Sequence, residues 1–510
     1  MNKYIRLFNT IKYMKFTQIY YRIFYFVRNR FVRIIRIKYG FSIPSNSMEL
    51  NLIDSCKYYS TYENRTFTFL NLSKKFDDKV NWNYNEYGKL WTYNLTYFEY
   101  LKEKEDLILI YDFIENIENI KDGLEPFPIS LRGINWIKFL TKYEIKNKKI
   151  DDSLYAQYYI LLDNLEYHLL GNHLLENGFS LLFAAYYFQD EVLYKKAKEI
   201  LEKELEEQIL DDGAHFELSP MYHQLMLFRV LDCINLVKHN QWIVDGGWWM
   251  EFLEIKASKM LGWMKIITYE NGEIPLFNDS ANKIAPTSKE LFEYAKKLTI
   301  NYPLSTLNQS GYRKVKKQNY ECLVDTGEVG ASYIAGHAHA DTFNFELYIR
   351  NQPFIVDAGL STYNIGKQRD IERSTKAHNT VEINGENSSE VWGGFRVANR
   401  ANIVELIEKK DFIKSTHDGY KKKFGILHTR KWIFEENKII IEDSLNQECN
   451  AIARLHFHPN ITEEDIEKRI ITNQKFKITS YQFASEFNKT ITGLVLELSF
   501  TKCLKVDIII

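Results

Sequence analysis

From Leu90 onward, apolar residues recur at helical spacing for about 200 residues. The pattern predicts helices over 107–117, 134–143, 154–170, 179–188, 191–210, 221–237 and 249–269. Turn signals separate them, at 119–128, Gly171, Asp211-Asp212-Gly213, Asp245-Gly246-Gly247 and Asn271-Gly272. Helices joined by short loops pack as antiparallel hairpins in a ring or bundle. Beyond Gly311 the period shortens to that of strands. β-branched and aromatic runs recur at 320–325, 332–335, 343–350, 381–383, 401–408, 425–434, 438–443, 451–458, 477–481, 491–500 and 506–510. Short strands between Gly, Asn and Asp turns predict a β-sandwich. Residues 56–90 read as irregular or strand-like, with 67–72 the best strand. The expected division is a basic arm over 1–55, a helical domain over 56–305 and a sandwich over 306–510.

Composition adds three points. With 510 residues, one compact core is exceeded and at least two domains are expected. Lys and Arg (66) nearly balance Asp and Glu (67), so nothing global attracts nucleic acid or another polyanion. Aromatic residues, at 15%, are numerous enough to permit stacking on sugar rings. The five cysteines are scattered, odd in number and form no C-x-x-C, which fits a reducing compartment.

Charge is local at the N-terminus. Residues 1–40 hold ten Lys or Arg and no acid, interleaved with Tyr, Phe and Ile. No apolar run is long enough for a signal peptide or a membrane span. Two readings stand: a basic amphipathic segment on an anionic membrane face, or an arm packed on the body with its charges solvated.

Candidate chemistry concentrates in 335–359, AGHAHADTFNFELYIRNQPFIVDAG. If His337 to His339 is extended, both imidazoles leave one face of a strand. A hairpin through Gln352-Pro353 returns Asp357 toward them, and His378 precedes another strand-like run. Two His and an Asp at strand ends suit a zinc site with nitrogen and oxygen ligands. The bland alternative is that these polar groups merely cap strand ends.

In the helical half, Gly171 to Gly178 puts His173 and Glu176 on one helix face, or simply starts a helix with Asn172 as cap. Ser219-Pro220 reads as an N-cap with proline at N1, placing Tyr222 in the first turn, where free N–H groups ease phenolate formation. The loop 272–280 carries carboxylates and an amide, a weak signal alone.

The order of Asn-His-x-x-Glu, Ser-Pro-Met-Tyr-His, His-x-His, Val-Asp-Ala-Gly, Arg-Ser-Thr-x-Ala-His-Asn-Thr and the 388–397 run SSEVWGGFRV resembles the heparinase II/III family of polysaccharide lyases. The resemblance covers roughly residues 90–460. It implies an incomplete (α/α) toroid followed by an antiparallel β-sandwich, and cleavage of uronate-containing polysaccharides by β-elimination. It also implies Tyr222 as catalytic acid, and base for some substrate epimers, with His337 as the other proton carrier. Asn172 or His173 would face the substrate carboxylate, with Glu176 as companion. His339, Asp357 and His378 would hold a mainly structural Zn2+. Arg132, Asn135, Tyr93, Asn94 and Arg396 are further expected saccharide contacts.

Two features depart from a degradative lyase. The chain opens with a basic arm instead of a secretion signal, and no strongly basic cleft is evident for a sulfated polymer. A cytoplasmic enzyme of cell-surface polysaccharide metabolism, working at the inner face of the membrane, is the corresponding expectation. The rival readings are a non-catalytic polysaccharide-binding protein of the same fold and a glycoside hydrolase pairing Asp212 with Glu217.

Overall fold

The computed structural model describes residues 3–34, 39–242 and 247–510. Two arm cations, Arg36 and Lys38, and most of the turn expected at 245–247 lie outside the described residues. The arm forms two helices, α1 (Lys3–Ile11) and α2 (Phe16–Ile34). A three-stranded meander follows (Thr61–Glu63, Thr66–Phe69, Leu72–Lys75). The strand expected over 67–72 is broken by the turn at Leu70 and Asn71, both at positive φ.

The helical half then runs α3 (Lys89–Tyr97), α4 (Leu107–Asn116), α5 (Pro126–Lys142), α6 (Lys148–Asp163), α7 (Gly171–Phe188), α8 (Glu191–Gln208), α9 (Pro220–His239), α10 (Trp248–Ile267) and α11 (Ser288–Lys297). The sequence neighbours α5–α6, α6–α7, α7–α8, α9–α10 and α10–α11 pack on one another, and α7 touches α5, α6, α8 and α9. This is the open (α/α) toroid. Every residue of α7 except His173 is buried. Its first half buries the polar Asn172, Glu176, Asn177 and Ser180, which interrupt any apolar stripe, so periodicity finds only its second half. Gly171, expected as a break, is its first residue, at φ 59°. The expected cap is also corrected: the N-cap position is Leu170, and Asn172 lies inside the first turn.

The paired strands of the C-terminal half are all antiparallel. One sheet of four holds Tyr312–Lys316, Tyr320–Asp325, Phe345–Ile349 and Gln352–Ile355 in chain order. A second sheet of four orders Phe476–Glu486, Lys489–Phe500, Ala451–His456 and Val381–Ile383. A sheet of six runs Ile403–Lys409, Phe412–His417, His428–Phe434, Lys438–Leu445, Cys503–Ile509, Ile470–Thr472. Inward residues such as Phe345, Leu347, Trp432, Ile441, Leu455 and Leu496 form one core. At its centre Arg430 grips Asp443 through Nε and Nη2 (2.7 and 2.8 Å), and His428 Nε2 adds a third bond at 2.7 Å.

The arm packs on both halves. Tyr25 donates to the Leu165 carbonyl (2.6 Å) and the Tyr21 ring stacks on Tyr167. On the other side, Trp392 Nε1 donates to Thr10 Oγ1 (3.1 Å), and the Arg400 guanidinium lies over Tyr13. No helix among the described residues is long and apolar enough to cross a membrane. All five cysteines are free thiols.

Candidate active site

Two loops and one helix end meet where the halves touch. Ser219 caps α9 as its sequence predicts, its Oγ accepting from Tyr222 N at 3.2 Å; such a cap is worth about 1 kcal/mol. The same Oγ donates to the Asp279 carbonyl at 2.8 Å, so the first turn of α9 is tied to the loop 278–280. That loop in turn grips the sandwich. Asp279 N donates to the His337 carbonyl (3.1 Å), and Asn278 Oδ1 accepts from His339 N (3.0 Å).

Asp279 is the hub. Its Oδ2 accepts from His337 Nδ1 at 2.9 Å and its Oδ1 lies 2.7 Å from His339 Nε2. Arg369, on α12 (Lys367–Glu372), closes a two-pronged salt bridge to both oxygens. Burial opposes the charge on Asp279, but Arg369 and the two imidazoles outweigh it and hold the carboxyl well below its ordinary range. The two histidines therefore do share one space, but not as a strand. His337 sits in a turn and His339 in irregular backbone, because their backbone bonds go to the 278–279 loop rather than to a ladder.

Tyr222 lies over His337, ring centroids 4.1 Å apart. Its hydroxyl is 3.2 Å from that of Tyr363. Burial, with Asp279 and Glu217 nearby, pushes the phenol above its ordinary value despite Tyr363 and Arg369. The expectation that the helix start eases phenolate formation is thus reversed: desolvation wins, and the resting group is a protonated acid. Glu217 is buried, and its Oε2 lacks a partner and stands 3.8 Å from His337 Nε2.

Tyr222 opens into a cavity of about 220 Å³ lined by Asn94, Tyr97, Asn172, Glu176, Arg229 and Tyr363 among others. Asn172 and His173 part company here. The buried Asn172 lines the cavity, and its Oδ1 has no partner. His173 faces away, its ring against Phe127 and its Nδ1 3.0 Å from Glu166 Oε1. Burial disfavours its cation, yet Glu166 overrides that and lifts the imidazole above its ordinary value. Glu176 lines the cavity but is engaged by Arg229 Nε, at 3.1 and 3.2 Å from its two oxygens.

Of the expected saccharide contacts only Asn94 lines this cavity. Arg132 and Asn135 are corrected: both are turned into the helical core, bonded to Gln157 and to the carbonyls of Thr96, Gly123 and Tyr97. Tyr93 bonds Glu125, and Arg396 sits exposed over Trp392. The pair Asp212–Glu217 is not a site either. Asp212 Oδ2 is occupied by Asn308 N, Ser310 N and Ser310 Oγ, a loop clamp.

The three expected metal ligands lie buried in one region. Asp357 Oδ2 is 2.7 Å from His378 Nδ1, and the His339 and His378 rings are 5.3 Å apart. Gly359 (φ 74°) ends this stretch, and a Cβ there would fall 2.1 Å from the Ala484 carbonyl. Among the described residues no three donors close into a coordination shell. The chemistry of the set nonetheless suits zinc: His339 Nδ1 and His378 Nε2 are both buried without a partner, as is Asp341 Oδ2 nearby. Orphaned buried nitrogens are costly unless something satisfies them.

Comparison with known proteins agrees with this anatomy. The profile for the Heparinase II/III N-terminus matches residues 138–304, and that for Heparinase II/III-like, C-terminal matches 299–499. The chain belongs to the heparinase II/III family. Relatives within reach of sequence include the heparin-sulfate lyase of Bacteroides stercoris, 21% identical over 322 residues (57% of this chain, 46% of the relative). That of Pedobacter heparinus is 23% identical over 325 residues (58% and 47%). The chain thus spans about half the length of these relatives. Among solved structures, heparinase III superposes with a TM-score of 0.64 at 15% identity, covering 97% of this chain and 91% of that one. The heparan sulfate lyase HepC from Pedobacter heparinus gives 0.54 at 16% identity (87% and 81%). At such identity the likeness is one of fold, toroid on sandwich.

Sequence reasoning overlooked Asp279, Arg369 and Tyr363. Asp279 sat in a loop noticed only for its polarity, and nothing local marks Arg369 or Tyr363.

Proposed function

We propose that this chain is a polysaccharide lyase that cuts a uronate-containing polymer by β-elimination. The observation that carries the reading is one cavity lined by both Tyr222, whose ring lies over His337, and the side-chain amide of Asn172.

The chemistry needs three things: a neutralised carboxylate, a base for the C5 proton and an acid for the departing O4. Asn172, on the cavity wall, offers its amide N–H to the uronate carboxylate and stabilises the charge that moves onto it as C5 loses its proton. His337 is the base. Its Nδ1–H is held by the ionised Asp279, which leaves the Nε2 lone pair to take the proton. Asp279 and Glu217 then flank the imidazolium. Tyr222 passes its proton to O4 as the C4–O4 bond breaks and C4=C5 forms. The proton count closes when the imidazolium of His337 gives up its proton and the Tyr222 phenolate takes one back, both through solvent once the cavity empties. For an epimer whose C5 proton faces Tyr222, the tyrosine serves as both base and acid.

A zinc ion on His339, Asp357 and His378 would supply structural stiffness, satisfying the orphaned ring nitrogens behind His337. The cations on the cavity wall are already matched, Arg229 by Glu176 and Lys283 by Glu486. Such a cavity favours a polymer charged by its carboxylates and poor in sulfate. Incubation with a panel of sulfated and unsulfated uronate polymers tests the reading: an unsaturated, ultraviolet-absorbing uronide end is expected from an unsulfated one. Saturated ends would mean hydrolysis, and no cleavage of any polymer would leave a binding protein.

A further inference from the structure

The arm is amphipathic with its apolar stripe facing outward. In α2, Phe16, Tyr20, Ile23, Val27 and Phe31 recur at helical spacing and all are exposed, Phe16 at 80%. In α1, Tyr4, Phe8 and Ile11 do the same, with Phe8 at 69%. The opposite face meets the body through polar and tyrosine side chains: Asn9 and Gln18 are buried, Gln18 Nε2 donates to the Leu169 carbonyl at 2.9 Å, and the Tyr21 and Tyr25 rings pack beside it. Folding normally does the reverse, and a contiguous exposed apolar patch marks a contact surface.

Charge says what covers it. The first 40 residues contain ten cations and no acid. On the described helices Lys12, Arg22 and Arg30 are exposed beside the stripe. A second copy laid on this face would set cations against cations, which disfavours a symmetric dimer. A surface that is apolar beneath and anionic above satisfies both halves of the pattern.

We propose that α1 and α2 lie flat on an anionic lipid surface, with Phe8, Phe16, Ile23 and Val27 entering the headgroup boundary and Lys12, Arg22 and Arg30 meeting lipid phosphates. The cytoplasmic leaflet of a cell membrane carries that chemistry. The contact is interfacial, and neither helix spans the bilayer.

Co-sedimentation of the full chain with phosphatidylcholine vesicles, with and without phosphatidylglycerol, tests this at low and high salt. Binding is expected only with phosphatidylglycerol and is expected to weaken with salt. The triple variant Phe16→Ser/Ile23→Ser/Val27→Ser changes only exposed side chains, so folding is preserved. It is expected to lose roughly a hundredfold in vesicle affinity. Arg22→Gln/Arg30→Gln is expected to lose about tenfold. Unchanged vesicle binding by the triple variant overturns the proposal, as does absence of binding by the parent chain. Sedimentation velocity of the same proteins without lipid supplies the remaining arm. A dimer of the parent that the triple variant dissolves, with no vesicle binding, assigns the face to a second copy instead.

Discussion

The Tyr222 ring rests on the His337 imidazole at a centroid separation of 4.1 Å, a helix start of the toroid against a turn of the sandwich. Neither half holds a complete acid–base pair. The pairing depends on Asp279, whose loop is bonded to both residues' backbones through Ser219 and the His337 carbonyl.

Tyr222→Phe removes one hydroxyl and leaves the ring contact with His337. Turnover on the cleaved polymer should fall about 10²- to 10⁴-fold, the usual contribution of a general acid, with the melting temperature little changed. His337→Ala should fall comparably. Full activity in Tyr222→Phe, measured by release of unsaturated ends, would remove this tyrosine from the mechanism.

Asn172 and His173 are adjacent yet face different surroundings, so they should behave differently. Asn172→Asp places a second carboxylate where the uronate is expected, and kcat/KM should drop about 10²-fold or more through like-charge repulsion. His173→Gln should keep kcat/KM within roughly threefold, since that ring bonds Glu166 outside the cavity. The reverse ranking would mean that the carboxylate is read by the imidazole.

Zinc content gives a direct test of the buried donor set. One zinc per chain is expected by elemental analysis, and His339→Ala should lower metal content and thermal stability together. His337→Ala should leave the metal in place, because that ring is held by Asp279. Stoichiometric zinc in His339→Ala would sink the assignment.

The sandwich should weaken in acid in two stages. Burial holds the His428 imidazole below its ordinary value in spite of Asp443, so the unfolded chain takes up that proton first. Its stabilising effect is therefore lost as pH falls below about 6.5. Asp443 is depressed, since Arg430 and His428 outweigh its burial. Its contribution is present above the unfolded value near 3.9 and is lost as pH drops through the folded one. Asp443→Asn should cost about 3–5 kcal/mol, because it strands Arg430. Urea titrations from neutral pH down to about pH 2 measure both. A flat stability over that range in the parent chain would contradict the first stage.

Much of the architecture was legible because most segments bury one face only. The number and order of helices from 107 to 269 and the switch to strands after Gly311 follow from period alone, although α5 begins at Pro126, inside the expected turn, and α6 spans Lys148–Asp163 rather than 154–170. Where burial is complete the signal fails: α7 hides its start, and the fully buried run Phe345–Ile349 is shorter than its β-rich neighbourhood implies. Tyr222 was legible through its Ser-Pro cap, a local device. Asp279 was not, since its partners lie 58 to 90 positions away and only tertiary folding assembles them. The same holds for Arg132 and Asn135. Polar residues on a helix look alike in sequence whether they line a cavity or bond carbonyls in the core.

The Trp392–Thr10 bond ties the arm to the neighbourhood of His337. Trp392 opens the short hairpin with Arg396–Val397, and Phe395 between them stands 6.0 Å from the His337 ring and 5.2 Å from Tyr363. Trimming the first 34 residues removes the exposed apolar side chains of the arm. It also removes the Thr10 contact under the hairpin that stands beside His337 and Tyr363. A shortened chain should be easier to handle and slower at its work, with the loss appearing in kcat/KM on a soluble polymer where no lipid is present.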